Sequence, residues 1–362
     1  MAYQLAPKTG AFTPYDPVEG TYRVRLDANE SFLLPTEPDR ERMAQAALET
    51  AFNRYPDPSA ARLCAAFAAR YDVKPALVTA GNGSDELIFL IFSAFLEKGE
   101  KVLTVSPDFS MYRFYTAVAE CPCLTLDKEA DRTIDVQKVI DTIRREQVRL
   151  FIFSNPCNPT SLGLDRDGVR RILRETQALI VLDEAYMDFW DQSLLGEVEE
   201  YDNLIILRTC SKAVGLAALR VGFAVANPRL TAVLRGAKSP YNVNTVSQEM
   251  AAIVLENPVY HDTYRELLIA SRDMLLTGLR ALEKDGLLTV YDSCTNFAYL
   301  RVPQARLVWN ALADRGMVVR RFGEENLRIT AGTQAENADV LAALGFLLRH
   351  DEVLQEYKEW KG

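Results

Sequence analysis

Six short apolar segments recur through the first 226 residues, and helix-like segments lie between most of them. The segments are ALVTA (76–80), KVLTV (101–105), RLFIFS (149–154), ALIVLD (178–183), NLIILRT (203–209) and VGFAVA (221–226). They are rich in β-branched residues and do not alternate apolar with polar side chains, which is typical of strands buried on both faces. The pattern therefore predicts an α/β fold with a mostly parallel sheet between layers of helices.

The pattern changes after Pro240. A helix-like stretch runs from about Thr245 to Glu283. Short strand-like segments then alternate with helical ones: LLTVYD, FAYLRV, MVVRRF and LRITAG. We expect a large domain of residues 41–240, a smaller α+β domain of residues 241–362, and an N-terminal arm of residues 1–40 that packs with the smaller domain.

Composition limits the classes of function. The 362-residue chain has a net charge of −9 and lacks the basic stripe that a nucleic-acid-binding surface needs. Its longest apolar run, Leu87–Leu96, is too short to span a bilayer, and the N-terminus has no apolar core of signal-peptide length. Two histidines and six scattered cysteines offer little to a metal site or a Ser-His-Asp triad. We expect a cytoplasmic protein that binds neither nucleic acid nor membrane and holds no metal.

A lysine without acidic neighbours in the sequence is the first candidate for chemistry. Lys212 lies in RTCSKAVGLAALRVGF (208–223), and no Asp or Glu lies within eight residues on either side. Small apolar residues and a second cation, Arg220, should lower the pKa of its amine and make it nucleophilic. The alternative is a lysine that extends to solvent from a half-buried loop.

A glycine-containing turn follows the first predicted strand and precedes a helix. Its sequence is GNGSDE, from Gly81 to Glu86. The glycines let the backbone approach a ligand, and the helix N-terminus offers unpaired amides to an anion such as phosphate. The turn matches neither a dinucleotide fingerprint nor a Walker loop. The alternative is a tight turn in which Ser84 or Asp85 caps the helix.

Other polar residues follow the predicted strands, where ligands bind in open α/β sheets. Tyr112 follows the second strand, and the NPCNPTS turn after the third strand presents Asn158. Asp183 ends the fourth strand, where a buried carboxylate needs a positive partner, and Tyr186 comes three residues later. One ligand satisfies these groups. Pyridoxal 5′-phosphate carries a phosphate, a ring cation, a ring oxygen, a flat face, and an aldehyde for Lys212.

Several segments, in this order and at these intervals, resemble the motifs of the fold-type I (class I/II) aminotransferases: GNGSDE, NPCNPTS, DEAY, SKAVGLAALR and LRIT. LDANES (26–31), NRYPDP (53–58), PDFSMY (107–112) and PYNVN (240–244) are similar to the histidinol-phosphate aminotransferase family in particular. The resemblance runs from Tyr15 to Thr333. It implies a large domain with a mostly parallel seven-stranded sheet sandwiched by helices, a smaller α+β domain, pyridoxal 5′-phosphate, and a homodimer with shared active sites.

The resemblance also implies roles for individual residues. Lys212 would be the Schiff-base lysine and general acid–base, and Asp183 would pair with the pyridinium nitrogen. Asn158 and Tyr186 would bind the ring oxygen, and Tyr112 would stack on the ring. The remaining implied cofactor-binding residues are Gly83, Ser84, Asp85, Thr209, Ser211, Arg220 and, from the neighbouring subunit, Tyr55. The implied substrate-binding residues are Tyr15, Asn29, Asn158, Arg320 and Arg328.

The implied reaction transfers an amino group between L-histidinol phosphate and 2-oxoglutarate. Three alternatives remain: an aminotransferase for aromatic or other amino acids, a lyase similar to threonine-phosphate decarboxylase, and a ligand-sensing regulator. The chain departs from the family's pattern where Ser161 and Ala218 replace glycines. It also departs at Arg321, where an acid is common. Arg321 either joins the substrate pocket or points away from it, because neighbours on a strand face opposite sides.

Overall fold

The computed structural model describes residues 3–12, 18–350 and 352–355 of the chain. The strands in this part, numbered in chain order, are β1 (Val24–Leu26), β2 (Val78–Gly81), β3 (Val102–Ser106), β4 (Cys123–Asp127), β5 (Leu150–Ser154), β6 (Leu179–Asp183), β7 (Leu204–Thr209), β8 (Gly222–Ala226), β9 (Thr289–Val290), β10 (Phe297–Arg301), β11 (Met317–Phe322) and β12 (Asn326–Thr330). The α-helices are α1 (Glu37–Glu49), α2 (Ala61–Arg70), α3 (Ser84–Phe95), α4 (Met111–Val118), α5 (Val136–Glu146), α6 (Arg166–Glu175), α7 (Pro228–Ala237), α8 (Thr245–Leu255), α9 (Pro258–Lys284), α10 (Ala305–Asp314) and α11 (Gln334–Arg349). Short 3-10 helices cover Pro7–Ala11, Pro75–Leu77, Met187–Phe189, Leu195–Glu197 and Ala217–Leu219.

The larger sheet has seven strands in the order β2-β8-β7-β6-β5-β3-β4. β8 runs antiparallel to both of its neighbours, and the other strands run parallel to one another. All six predicted segments form strands, which confirms the mostly parallel sheet. The sequence does not predict β4, because this edge strand is only partly buried and its CLTLD segment mixes apolar with polar residues.

Helices cover both faces of the larger sheet because successive strand residues alternate between two cores. On β5, Phe151 and Phe153 enter the core beneath α5 and α6, whereas Leu150 and Ile152 enter the core beneath α3 and α7. The N-terminus of α5 is fixed by Asp135, whose side chain accepts a hydrogen bond from a backbone amide of the first turn. Because these strands are parallel, their carboxyl ends lie at the same edge of the sheet.

The smaller sheet has five strands in the order β1-β11-β12-β10-β9. β1 runs parallel to β11, and the other neighbouring pairs are antiparallel. Helices α9, α10 and α11 contribute Leu279, Val308 and Leu344 to its core. The 27-residue α9 is the longest helix in the described ranges, and no helix there is long and apolar enough to cross a membrane.

The helical stretch predicted for residues 245–283 is two helices, not one. Glu256 and Asn257 separate α8 from α9, and Pro258 occupies the first position of α9, where proline is tolerated. α8 packs Ala251 and Val254 into the core of the larger sheet. We therefore propose that the division between the two parts lies near Asn257 rather than at residue 241.

The N-terminal segment contacts both parts of the structure. β1 belongs to the smaller sheet, as the register of Val24 opposite Met317 shows. The 3-10 helix Pro7–Ala11 lies instead against α4 of the larger part, where Lys8 donates a 3.1 Å hydrogen bond to the carbonyl of Val118. The described residues of this segment therefore contact the larger part as well as the smaller one.

Candidate active site

A cavity of about 370 Å³ lies at the carboxyl ends of the parallel strands, between the two sheets. Asn158 and Lys212 reach it from the loops after β5 and β7, and Asp183 reaches it from the last position of β6. Arg320 and Arg328 reach it from β11 and β12 of the smaller sheet. Its volume is in the range of small-molecule sites. The structure thus brings together residues that lie far apart in the sequence.

Lys212 extends into this cavity from the turn after β7. Its Nζ donates a 2.9 Å hydrogen bond to the carbonyl of Ala28, and no carboxylate accepts from it in the described structure. Burial lowers the pKa of the amine to about 8, and the positive charge of Arg328 contributes in the same direction. Glu30 partly offsets the shift. About a tenth of this amine is therefore neutral at pH 7, and its pKa is lowered as the sequence predicted.

Asp183 ends β6 with a buried carboxylate that is only 5% exposed. The hydroxyl of Tyr112 donates to it at 2.8 Å, and the backbone amide of Ala185 donates at 3.2 Å. Neither partner carries a positive charge. Burial raises the pKa of Asp183 to about 7, although the hydrogen bond from Tyr112 opposes the shift. A ligand with a cationic group at this position would remove the cost of burying the ionised form.

The prediction that Tyr112 stacks on a ligand is wrong. Its side chain is 0% exposed, and it lies behind the cavity wall, where its hydroxyl reaches Asp183. Phe109, three residues earlier, lines the cavity instead, and the two rings meet edge to face with centroids 5.5 Å apart. The reason is local: Phe109 precedes the first turn of α4, whereas Tyr112 lies within that turn and packs onto the sheet.

One end of the cavity, where α3 begins, has the groups that suit an anion, and it is called the anion-binding end below. Gly83 precedes the helix with φ +81, and a Cβ built there would lie 2.8 Å from Nη2 of Arg220. Ser84 and Asp85 of the first turn line the cavity together with Ser211. Arg220 donates to the Ser211 hydroxyl at 3.2 Å and pairs with Asp85 at 3.3 Å. Helix amides, two hydroxyls and a guanidinium therefore converge at one point.

Close packing of β8 against α3 fixes this end of the cavity. A Cβ on Gly222 would lie 2.4 Å from the backbone nitrogen of Ser84, so no larger residue fits there without a backbone shift. Thr209 pairs with Gly222 across the sheet, lines the cavity, and accepts a 3.1 Å hydrogen bond from the amide of Ser211. Ala218, which departs from the family's pattern, is exposed and does not line the cavity.

A second group of hydrogen bonds joins the two parts of the structure across the cavity. Asn29 donates to the hydroxyl of Tyr186 at 2.9 Å. Arg328 donates through Nη1 to the side-chain oxygen of Asn158 and through Nη2 to the carbonyl of Asp27. Tyr186 is buried, and burial is the main cause that raises the pKa of its hydroxyl to about 12, so it remains a donor at neutral pH.

The two neighbouring arginines of β11 point to different places. Arg320 lies opposite Arg328 in the strand register and lines the cavity. Arg321 pairs with Glu324 at 3.2 Å, and its guanidinium lies 6.0 Å from the ring centroid of Trp309 on α10. Arg321 therefore does not join the cavity, because the alternation of side chains along a strand turns it to the other face.

One tyrosine implied for the site, Tyr55, does not line this cavity. Tyr55 is 80% exposed, and its ring stacks on that of Tyr241 with centroids 4.5 Å apart. Tyr15 lies outside the described residues. The cavity also has polar and aromatic lining residues that the sequence did not indicate, among them Asp27, Asp108, Phe109, Ser154 and Phe322. Two of these could have been found, since Ser154 ends a predicted strand and Phe322 lies two positions after Arg320, on the same face.

A buried ion network lies directly behind the site. Arg208 of β7 pairs with Glu184 and with Asp188, each at 3.1 Å. The hydroxyl of Tyr71 adds a 3.0 Å hydrogen bond to Asp188. All three charged side chains are buried, so removing one would leave a buried charge without its partner. The network holds the loop after β6, which begins directly after Asp183, against β7.

Comparisons with known proteins match most of the chain to one family. The sequence profile of the family described as "Aminotransferase class I and II" matches residues 23–344. A histidinol-phosphate aminotransferase of Clostridium novyi is 38% identical over 91% of this chain and 93% of its own. One of Ruminiclostridium cellulolyticum is 36% identical over 92% of this chain and 95% of its own.

Solved structures show the same fold at lower identity. Histidinol-phosphate aminotransferase from Sinorhizobium meliloti in complex with pyridoxal 5′-phosphate has a TM-score of 0.86 at 24% identity, with 96% of this chain and 98% of that chain covered. Aspartate aminotransferase from Thermus thermophilus with maleate has a TM-score of 0.80 at 18% identity, with 96% and 100% covered.

Proposed function

This chain belongs to the class I and II aminotransferases, and we propose that it transfers the amino group of L-histidinol phosphate to 2-oxoglutarate. It is a transferase that uses pyridoxal 5′-phosphate to move amino groups between small molecules. One observation carries the proposal. A single cavity holds the Lys212 amine with its lowered pKa, the Asp183 carboxylate without a positive partner, and the anion-binding end at α3.

The side chains at the two ends of the cavity fit this cofactor. Asp183 would hold the ring nitrogen, whose positive charge stabilises the ionised carboxylate that burial now disfavours. Ser84, Ser211 and Arg220 would hold the phosphate, which suits helix amides and a guanidinium.

The side chains between these ends also fit. The flat ring of Phe109 lines the cavity wall and would face the cofactor ring, a role that the sequence assigned to Tyr112. Asn158 and Tyr186 would bind the ring oxygen through an amide and a hydroxyl. Gly83, Asp85 and Thr209 would then border the cofactor without bonding to its ring.

The chain's own residues supply binding and proton transfer. When bound, pyridoxal 5′-phosphate supplies an aldehyde carbon that bonds amines and a ring that takes up electrons when the substrate loses its α-proton. Lys212 Nζ would hold the cofactor at that carbon and, as a free amine, would accept the proton from the α-carbon of the substrate. Its pKa of about 8 lets the same nitrogen accept and return a proton near neutral pH. Asp183, when ionised, would keep a proton on the ring nitrogen.

The arginine pair supports the choice of substrates. Arg320 and Arg328 lie opposite each other on β11 and β12 and both line the cavity. A guanidinium fork binds carboxylate and phosphate equally well, so one pocket can accept the phosphate of histidinol phosphate and a carboxylate of 2-oxoglutarate in turn. Asn29 would help through its bond to Tyr186.

The test is the relative specificity for amino donors. With 2-oxoglutarate as acceptor, kcat/KM is measured for L-histidinol phosphate, phenylalanine, tyrosine and threonine phosphate. We expect the highest value for histidinol phosphate. A value about tenfold higher for any other donor, or decarboxylation of threonine phosphate, would refute the proposed substrate and leave the cofactor chemistry in place.

We also propose that two copies form a homodimer with shared active sites. Tyr55 and Tyr241 form a stacked aromatic pair on the surface, with Tyr55 80% exposed and Tyr241 46% exposed. Exposed aromatic pairs of this kind are favourable contacts when a second protein covers them. In the dimer, Tyr55 would reach the cofactor phosphate of the neighbouring subunit.

A further inference from the structure

Ser161, in the middle of the loop between β5 and α6, has an unusual backbone for its residue type. Its φ is +64, in the left-handed region that favours glycine, and its side chain is 0% exposed. A serine in this conformation is strained unless its surroundings compensate. Ser161 is therefore a buried serine at a position where the backbone conformation favours glycine.

The side chain and carbonyl of Ser161 join the larger part of the structure to the smaller part. Its hydroxyl lies 2.7 Å from the carbonyl oxygen of Asp292 and 2.5 Å from that of Thr160, so it donates its one proton between them. Its carbonyl accepts a 3.0 Å hydrogen bond from the amide of Cys294. Asp292 and Cys294 lie between β9 and β10, in the smaller part.

The same loop meets the smaller part a second time, inside the cavity. Asn158, three residues before Ser161, accepts a hydrogen bond from Arg328 of β12. A nearby contact reinforces the attachment, since the guanidinium of Arg132 in the larger part lies 5.7 Å from the ring centroid of Tyr291. The loop is therefore attached to the smaller part at two residues: at Asn158, which lines the cavity, and at Ser161, which does not.

We propose that Ser161 is a positioning residue that holds the smaller part in place over the cavity, so that Arg320 and Arg328 are preorganised for the anionic end of both substrates. The inference rests on the proposed aminotransferase function and adds to it a determinant of substrate affinity. The cofactor contacts proposed within this chain come from the larger part, so the anchor acts on substrate rather than on cofactor.

Two substitutions distinguish the effect of the Ser161 hydroxyl from the effect of its backbone strain. Ser161→Ala removes the hydroxyl and keeps the strained φ, whereas Ser161→Gly removes the hydroxyl and relieves the strain. We expect both to raise KM for amino donor and acceptor by about three- to tenfold, the effect of one lost hydrogen bond, with kcat nearly unchanged. We expect the cofactor dissociation constant to stay within about twofold of wild type in both, because the anchor lies outside the cofactor contacts.

A second measurement does not depend on activity. Hydrogen exchange of the Cys294 amide, which donates to Ser161, should be several-fold faster in both variants, because the smaller part is held less firmly. Unchanged KM values with unchanged exchange would overturn the proposal. A rise in KM in the alanine variant alone would show that backbone strain is the cause. A loss of cofactor affinity as large as the rise in KM would show general destabilisation. Either result would overturn the proposal. If the wild type transfers no amino group at all, the proposed function fails, while the exchange experiment still decides whether Ser161 is an anchor.

Discussion

The hydroxyl of Tyr112 donates a 2.8 Å hydrogen bond to the carboxylate of Asp183, and both side chains are buried. The bond favours the ionised carboxylate, yet burial prevails and raises the pKa of Asp183 to about 7. The tyrosine therefore favours the ionised carboxylate but does not supply the positive charge that would offset its burial.

The cofactor-free protein should lose stability as Asp183 ionises. The folded pKa of about 7 is raised above the unfolded value of about 4, so its stabilising contribution is complete below the unfolded value and is lost as pH rises through 7. Relative to Asp183→Asn, the wild type should lose up to about 4 kcal/mol between pH 4 and pH 8. Urea unfolding of both cofactor-free proteins across this range measures the difference. A difference that does not vary with pH would contradict the prediction.

Phe109 should contribute to cofactor affinity, and a phenylalanine outside the cavity should not. Phe109→Ala should raise the cofactor dissociation constant by about three- to tenfold, the loss expected for one stacked ring. Phe114 lies on α4 and packs against Phe12 and Tyr115, so Phe114→Ala is the matched control. Titration of the folded, cofactor-free variants with pyridoxal 5′-phosphate provides both constants. Equal effects of the two substitutions would show that Phe109 has only a packing role.

Borohydride reduction of the cofactor-bound protein should fix the cofactor to Lys212. Lys238 provides the comparison, because its Nζ lies outside the cavity and donates to Pro58 at 2.7 Å and to Asn242 at 3.1 Å. Peptide mapping identifies the labelled lysine, and Lys212→Ala should abolish both the label and transamination. Because the pKa of Lys212 is lowered to about 8, attachment to the cofactor-free protein should accelerate between pH 7 and 9. A label on Lys238 would refute the assignment.

Arg328→Lys should weaken both half-reactions, whereas the same change at Arg321 should not. An ammonium group cannot reproduce the fork that binds phosphate or carboxylate, so kcat/KM for each substrate should fall about ten- to a hundredfold. Arg321 faces Glu324 and Trp309, away from the cavity, so Arg321→Lys is the control. Single-turnover rates with each substrate separate the half-reactions. If only one half-reaction weakens, the two substrates do not share the arginine.

Mixing two inactive variants tests whether the sites are shared. Tyr55→Phe and Lys212→Ala chains are unfolded, mixed in equal amounts and refolded. If Tyr55 serves its neighbour, each mixed dimer has one intact site and one doubly altered site, so activity should recover to about a quarter of wild type. Activity no greater than the mean of the two parents would show that Tyr55 acts within its own chain. A strictly monomeric wild type in dilute solution would also refute the shared site.

The strands that shape the cavity could be predicted because they are buried on both faces. β5 and β7 each begin with four consecutive apolar residues. The polar residues that follow these strands, Asn158 and Lys212, are where the strand-end rule places them. β1 could not be predicted in this way. Its three residues, VRL, are too few to show a period, and they form a strand only because β11 is available beside them.

Side-chain direction was the least predictable property of the site. The PDFSMY segment contains two aromatic residues. Which of them faces the cavity depends on where α4 begins, and helix ends can be predicted from sequence only to within a few residues. The segment therefore predicts Tyr112 as the stacking residue, whereas Phe109 is the one that lines the cavity. Arg321 was easier, because strand alternation turns it away once Arg320 faces the cavity.

The position of β1 beside β11 determines when the site can exist during synthesis. Asn29 bonds to Thr330, 301 residues later in the chain, and the Lys212 amine bonds to Ala28 across 184 residues. Contacts that close such long loops form late in folding, since the loop entropy must be overcome before they contribute. The larger sheet can assemble while the ribosome is still adding residues, whereas the arginine pair and the N-terminal strand meet only after β12 has emerged. A nascent chain interrupted before β11 would therefore carry the lysine without the pocket that gives it a substrate.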